Sequence, residues 1–255
     1  YSFVGGGCNN TASCYFSTVA GGQCNIASGC NSTVSGGICN SSVGDCNTIS
    51  GGYLNCTSQT YSTVGGGILN ISDGNYSTVG GGSCNCSTIC ASTVSGGYCN
   101  TASNYSTVGG GCCNLSCNYF STVGGGGFNI ACGCYSNVAG GYCNTACGDY
   151  STVGGGWCNT ASSYYSTVAG GYCNLACGNR STVGGGWCNT ASGYYSTIGG
   201  GVCNIVSCNY STIGGGFNNL SCNYFSTVGG GSFNTASYFG STIGGGYFNT
   251  ASSYY

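Results

Sequence analysis

A β-branched residue recurs along this chain about every fifteen positions, nearly always preceded by Thr and followed two positions later by a pair of glycines. The unit reads Ser-Thr-Val-Gly-Gly-Gly-x-Cys-Asn-x-Ala-Ser-x-Tyr-Tyr. Copies start at residues 2, 17, 32, 47, 62, 77 and 92, then at 106, 121, 136, 151, 166, 181, 196, 211, 226 and 241. Sixteen copies have 15 residues, and the copy from Ser92 to Tyr105 has 14. Position 3 is Val or Ile in every copy, from Val4 to Ile243. Positions 5 and 6 are always Gly, from Gly6-Gly7 to Gly245-Gly246, and position 9 is always Asn, from Asn10 to Asn249. Position 11 is small, mostly Ala or Ser, with Thr57 and Val206 as exceptions.

Nothing recurs at the helical period of about 3.6 residues, and fifteen residues broken by glycine are too few for a pair of helices. A β-branched residue running into paired glycines is a short strand entering a turn. The pattern predicts two strands per rung, near positions 1–4 and 7–11, with turns at 5–6 and 12–14. Rungs stacked in register lie about 4.8 Å apart, so seventeen of them span on the order of 80 Å. The fold class is all-β: a parallel β-solenoid or β-roll of 17 rungs with about 15 residues per rung. One question stays open at this stage. Positions 8 and 10 share one face of the second strand and positions 9 and 11 the other. If Asn and Ala point inward, the Asn side chains form a hydrogen-bonded ladder and the Cys/Phe column meets a neighbouring chain. If they point outward, Cys and Ile are core.

Composition removes most functions. The chain has one cation (Arg180), three acids (Asp45, Asp73, Asp149), a net charge of −2, and no His, Lys, Glu, Pro or Met. There is no basic patch for nucleic acid, and no apolar run of the length, about 18 residues, that a membrane span needs. A serine nucleophile lacks a His or Lys base. The glycines are followed by neither a P-loop Gly-Lys-Ser/Thr nor a helix, and three acids cannot serve calcium-binding repeats. The expectation is a protein that is not an enzyme, with no cofactor, no nucleic-acid partner and no membrane span. Residues 1–255 read as a single repetitive segment: both ends are in phase with the repeat, from Tyr1 to Tyr255, and neither has an atypical cap. Stacked repeats normally carry polar caps, so the segment reads as part of a longer fibre, or as chains stacked end to end.

Cysteine, 25 of 255 residues, marks a disulfide scaffold in an oxidising, extracellular setting. Ten fall at position 8: Cys24, Cys39, Cys84, Cys99, Cys113, Cys143, Cys158, Cys173, Cys188 and Cys203. Neighbours in that column have Cα atoms at a spacing of about 4.8 Å, which a disulfide tolerates, and Cys24–Cys39 is the cleanest pair. Cysteines at position 12 add pairs within a rung at Cys113/Cys117, Cys143/Cys147 and Cys173/Cys177. An odd total leaves at least one thiol free or bonded to another chain. Zinc would call for groups of four ligands, which these columns do not show, so no metal site is expected.

Position 15 carries Tyr or Phe in twelve copies, among them Tyr61, Tyr76, Tyr105, Phe120, Tyr150 and Tyr165. Such a column either packs within the rung or forms an exposed patch that calls for lateral assembly, adhesion or glycan cover. Twelve Asn-x-Ser/Thr sequons are candidate glycosylation sites: Asn9, Asn31, Asn40, Asn55, Asn70, Asn75, Asn85, Asn104, Asn114, Asn179, Asn209 and Asn219.

The tandem Ser-x-Val-Gly…Ala-Ser pattern, carried for example by Ser151, Val153, Gly154, Ala161 and Ser162, resembles the head repeats of trimeric autotransporter adhesins (YadA-like heads). It is also similar to repeats in trimeric phage and viral fibres. The resemblance implies a left-handed parallel β-roll assembled as a trimer, acting as an adhesive or spacer module. The chain departs from that family in its 15-residue period, its triple glycine and its abundant Cys. Thr fills position 2 in fifteen copies, a column similar to one rank of the ice-binding faces of insect β-solenoids, which generally need two. The leading reading is therefore a structural filament or fibre shaft, extracellular or on a cell or virion surface, associating with itself end to end and laterally. A surface adhesin module and an ice-binding solenoid are the alternatives.

Overall fold

A computed structural model describes residues 1–253. The described residues contain thirty-four strands of two or three residues and no helix. Tyr255, at position 15 of the last repeat, lies outside them. The chain divides into two compact units, Tyr1–Phe128 and Asn129–Tyr255, and each is a stack of parallel rungs with one rung per repeat.

In the first unit, strands at positions 2–3 pair in register along one sheet, as in Thr18↔Thr33 and Val19↔Val34. Strands at positions 10–11 pair along a second, as in Ile26↔Ser41 and Ala27↔Ser42. The second unit repeats the arrangement with Thr152↔Thr167 and Val153↔Val168 on one sheet and Thr160↔Leu175 and Ala161↔Ala176 on the other. The 14-residue copy keeps both registers, Thr93↔Thr107 and Thr101↔Leu115. Its second strand runs to Ser103, so the missing residue is taken out of the following turn. The parallel β-solenoid expected from the period is thus the fold.

The second strand is shorter than the periodicity suggested. Position 7 makes a separate parallel bridge, such as Gln23↔Ile38 or Tyr142↔Trp157, and position 8 then turns left-handed. Cys24, Cys39 and Cys158 have φ of 55°, 56° and 54°. The same conformation recurs at position 15, for example Tyr61 at 59° and Tyr165 at 56°. Each such residue costs about 1–3 kcal/mol relative to an ordinary conformation. Hydrogen bonding between rungs offsets it. Position 7 donates forward to the next rung (Gln23 N–H to Gly37 O, 2.9 Å), whereas position 8 donates backward (Cys39 N–H to Gln23 O, 2.9 Å). The left-handed residue reverses the bonding direction and re-aims the chain so that position 9 faces inward.

The interior settles the open question. Val at position 3, Asn at position 9, Ala or Ser at position 11 and Ser at position 1 are buried, as in Val153, Asn159, Ala161 and Ser151, all at 0% exposure. Each buried valine contributes roughly 1.5–3 kcal/mol. The polar half of the core is held by hydrogen bonds. Several serine hydroxyls at position 1 donate to the turn carbonyl three residues earlier (Ser32 to Gly29, Ser166 to Ser163, both 2.6 Å), whereas those of Ser136, Ser151, Ser181 and Ser196 are buried without a hydrogen-bond partner. Four position-11 serines pair with the next rung's Ser, as in Ser116–Ser121 at 2.8 Å, and Ser42, where the next rung has Asn47 instead, accepts the Thr57 hydroxyl at 3.1 Å.

The invariant Asn forms a ladder. Asn159 Nδ2 donates to Gly155 O of its own rung at 2.9 Å and to Gly171 O of the next at 2.8 Å, while its Oδ1 accepts the N–H of Asn174 at 3.0 Å. The same set recurs at Asn55, with Gly51, Gly67 and Asn70. This contact also explains the glycine at position 6. A Cβ on Gly156 would meet Gly171 O at 2.2 Å and Asn159 Nδ2 at 2.7 Å, and its φ is +89°. The glycines and the asparagine are one device.

Candidate binding surfaces

With positions 1, 3, 9 and 11 inside, the outward columns carry whatever function the chain has. The charged groups on them are few, and the structure gives each a supporting task. Asp45 Oδ1 accepts the N–H of Cys30 at 2.7 Å, and Asp149 Oδ1 that of Cys134 at 2.8 Å. Asn209 does the same for Tyr194 at 2.8 Å, so a position-14 Asp or Asn caps the backbone of the rung before it. Asp73 accepts the hydroxyl of Ser58. Arg180 lies at 5.9 Å from the Tyr165 ring centroid and 5.2 Å from that of Tyr195, and it donates to the Tyr194 hydroxyl at 3.0 Å. Its charge fills a gap in the aromatic column.

Wherever a thiol is displaced from its ordinary range, it is displaced upward. Burial raises Cys56 and Cys86, with the Asp73 charge adding to it. Burial likewise leads at Cys143 and Cys173, and the hydrogen bond to Cys112 leads at Cys113. A nucleophilic cysteine needs the opposite shift.

The disulfides are not where the sequence pattern put them. The position-8 cysteines, Cys24 and Cys39 among them, carry free thiols, and the disulfide among the described residues joins Cys14 to Cys30, with Cα atoms 4.9 Å apart. Neither cysteine was a candidate, because Cys14 is at position 13 and Cys30 at position 14 of the following copy.

The expected staples within a rung are corrected as well. Contrary to its expected bond with Cys143, Cys147 is exposed and carries a free thiol. It follows the buried Ala146 at the end of strand Thr145–Ala146, so side-chain alternation turns it outward, and that strand separates it from Cys143. Leu115–Ser116 runs between Cys113 and Cys117 in the same way, and Leu175–Ala176 between Cys173 and Cys177. Extended chain rising about 3.3 Å per residue puts each of these three pairs well beyond the ~7 Å Cα limit for a disulfide.

Six of the sequons, Asn40, Asn55, Asn70, Asn85, Asn114 and Asn219, belong to the buried ladder, none more than 1% exposed. A glycan there would break the ladder. Asn9, Asn31, Asn75, Asn104, Asn179 and Asn209 lie at positions 8, 14 or 15 on the outer corners.

The aromatics of position 15 stack between rungs, and where position 14 is also Tyr the two rings meet edge-on within a rung, as at Tyr164–Tyr165 (4.4 Å) and Tyr194–Tyr195 (4.6 Å). Ring centroids are 5.1 Å apart with nearly parallel planes at Tyr61–Tyr76, and 5.0 and 4.8 Å apart along Tyr135–Tyr150–Tyr165. Their edges stay exposed, 64% at Tyr76. Position 7 makes a second column, in which Tyr142, Trp157, Tyr172 and Trp187 follow one another at 4.8, 6.3 and 5.9 Å. The sequence reading passed over this column, although its bulky residues could be read off position 7.

Among the described residues, no group of three or more His, Cys, Asp or Glu is placed to hold a metal ion, and no helix is long and apolar enough to cross a membrane. The sequence model of the ubiquitous surface protein adhesin repeat matches residues 17–29, most of one rung, from the inward Ser17 through Val19, Asn25 and Ala27. No curated protein matches the chain. The short match and the solenoid are consistent with a surface adhesin or fibre module.

Proposed function

We propose that the chain is a structural shaft of an extracellular surface fibre, a rigid spacer. The observation that carries this reading is where the constant residues lie. Val or Ile at position 3, the paired glycines and the Asn are all used up in the fold, inside it or between its rungs. The outward columns vary in composition, position 2 least, with Thr in fifteen copies. Sequence constancy therefore serves the scaffold, and no rung departs from it to gather polar groups as a catalytic site does. The engaged acids, the single cation among tyrosines and the upward-shifted thiols support the same non-enzymatic role.

The outer columns are aromatic, apolar and almost uncharged, a surface of the kind that monomers seldom leave open. Their cover, in this reading, is further copies of the chain, end to end or side by side, with glycans at the outer-corner sequons in a host that attaches them. The trimer and the left-handed roll come from the resemblance to autotransporter heads. A surface adhesin is the alternative that the residue 17–29 match favours. Ice binding draws less support: Thr152, Thr167 and Thr182 form one outward rank, and the next outward position in these copies is Gly or Ala.

The test is display of the chain on a non-adherent cell. Electron microscopy is expected to show extended projections, and light scattering of the purified chain to show a multimer. A monodisperse monomer without projections refutes the fibre. Cells that gain attachment to host tissue through the chain alone turn the reading to the adhesin.

A further inference from the structure

The outward column at position 8 of the second unit holds five consecutive cysteines, Cys143, Cys158, Cys173, Cys188 and Cys203. All five carry free thiols, and their φ angles lie between 53° and 56°. From Cys158 onward each N–H donates to the position-7 carbonyl of the rung before it, at 2.8 or 2.9 Å. A backbone repeated this closely relates the side chains by a translation of about 4.8 Å.

That translation decides what the column can form. It carries Cβ as far as Cα, about 4.8 Å, whereas a disulfide brings Cβ atoms to ~3.5–4.5 Å. The Cys14–Cys30 bond, by contrast, joins staggered positions, 16 residues apart in sequence. Sulfurs one rung apart match a linear bridge instead. Two bonds of about 2.3 Å from a soft metal ion to sulfur span roughly 4.6 Å. A zinc-like site needs more ligands than converge here, and thiolates presented in pairs select soft ions such as copper(I).

We propose that neighbouring cysteines of this column bind soft monovalent d10 cations, copper(I) or silver(I), each held linearly between two thiolates. Two thiols and one cation give a bis-thiolate complex of charge −1 and two released protons, with no change of oxidation state. One sulfur does not serve two cations, because a straight column would force a straight metal–sulfur–metal angle, and a bridging thiolate is bent. Five thiols therefore take two cations and leave one thiol over. Because each uptake releases two protons, it weakens as pH falls. This inference stands apart from the fibre reading and survives its failure.

The test uses the reduced full chain titrated with silver(I) against glutathione, counting tight equivalents by native mass spectrometry. Substitution is by Asn, which the chain itself places in this conformation at Asn9 and Asn218 (φ 53° and 52°). Relative to the parent, Cys173→Asn is expected to lose no silver, because the pairs 143/158 and 188/203 remain. Cys158→Asn loses one equivalent, and the double variant Cys158→Asn/Cys188→Asn loses two. X-ray absorption should show two sulfurs per silver, and circular dichroism should match the parent for each variant counted. A loss that follows the number of cysteines removed, regardless of place, overturns the proposal. So does a third sulfur on silver, or ready closure of disulfides within the column when the metal-free chain is exposed to air.

Discussion

Asn159→Asp exchanges the donor of the ladder for an acceptor at nearly constant volume. The Asn159 side chain is fully buried, and its Nδ2 faces three oxygens: Gly155 O at 2.9 Å, Gly171 O at 2.8 Å and Asn144 Oδ1 at 3.2 Å. Gly171 O keeps the Trp157 N–H, and Asn144 Oδ1 keeps the Asn159 N–H. The lost donor falls mainly on Gly155 O, at a cost of about 1–3 kcal/mol. Ionisation costs more, because a buried carboxylate surrounded by oxygens resists charging. A rise of about 3 pH units in its folded pKa corresponds to about 4 kcal/mol at neutral pH. The sign follows from linkage. The folded pKa lies above the unfolded value of about 3.9, so the native state binds the extra proton. Stability is then greatest below about pH 4 and falls by about 1.4 kcal/mol per pH unit up to about pH 7. The parent carries three exposed carboxylates and no His, so the added slope is read as the difference from it. Asn159→Ala, which loses the same donor without adding an acid, should be destabilised but show no added slope. Amide hydrogen exchange across residues 144–174, corrected for intrinsic rates between pH 4 and 7, measures both. An Asp variant with the parent's exchange at pH 7, or with the Ala variant's flat profile, would refute the ladder as drawn.

Two neighbouring glycines should part company. Gly171→Ala sets a Cβ 2.2 Å from Gly186 O at a φ of +92° and is expected to cost about 3 kcal/mol or more. Gly170→Ala, whose nearest neighbour is 3.8 Å away, should stay within about 1 kcal/mol, and similar denaturation midpoints for the two would contradict this geometry. Breaking Cys14–Cys30, which closes a loop of sequence separation 16, should cost about 3 kcal/mol. The readout is hydrogen exchange in the first rungs of Cys14→Ser, and exchange unchanged from the parent removes the bond from the account.

The strands at positions 2–3 were legible because Thr-Val alternation followed by glycine has one economical structural meaning. The Asn column was visible as a constant but not as an interior. Its burial depends on acceptors supplied by Gly155 and Gly171, sixteen residues apart on different rungs. The left-handed corners were hidden for a related reason. Cys158 and Tyr165 are poor choices for φ near +55° when judged by local preference, and only bonds to the preceding rung make the conformation tolerable. The disulfide escaped because columns were compared at equal positions, while the bond joins unequal ones. Cys147 was misjudged for a simpler reason: four residues along a strand lie far apart, however close they look in the sequence.

The asparagine ladder has a further consequence. Every Oδ1 accepts from the rung that follows it, Asn144 from Asn159 and Asn159 from Asn174, so the carboxamide dipoles of a unit all point the same way and add, as peptide dipoles do in a helix. An interior almost without ionised groups is thereby electrically polar along its length. A stack built this way has a head and a tail, and at the end that presents the amide oxygens a rung offered upside down sets acceptor against acceptor. Whatever extends it must arrive in one orientation, and the row of amide oxygens already in place enforces that choice.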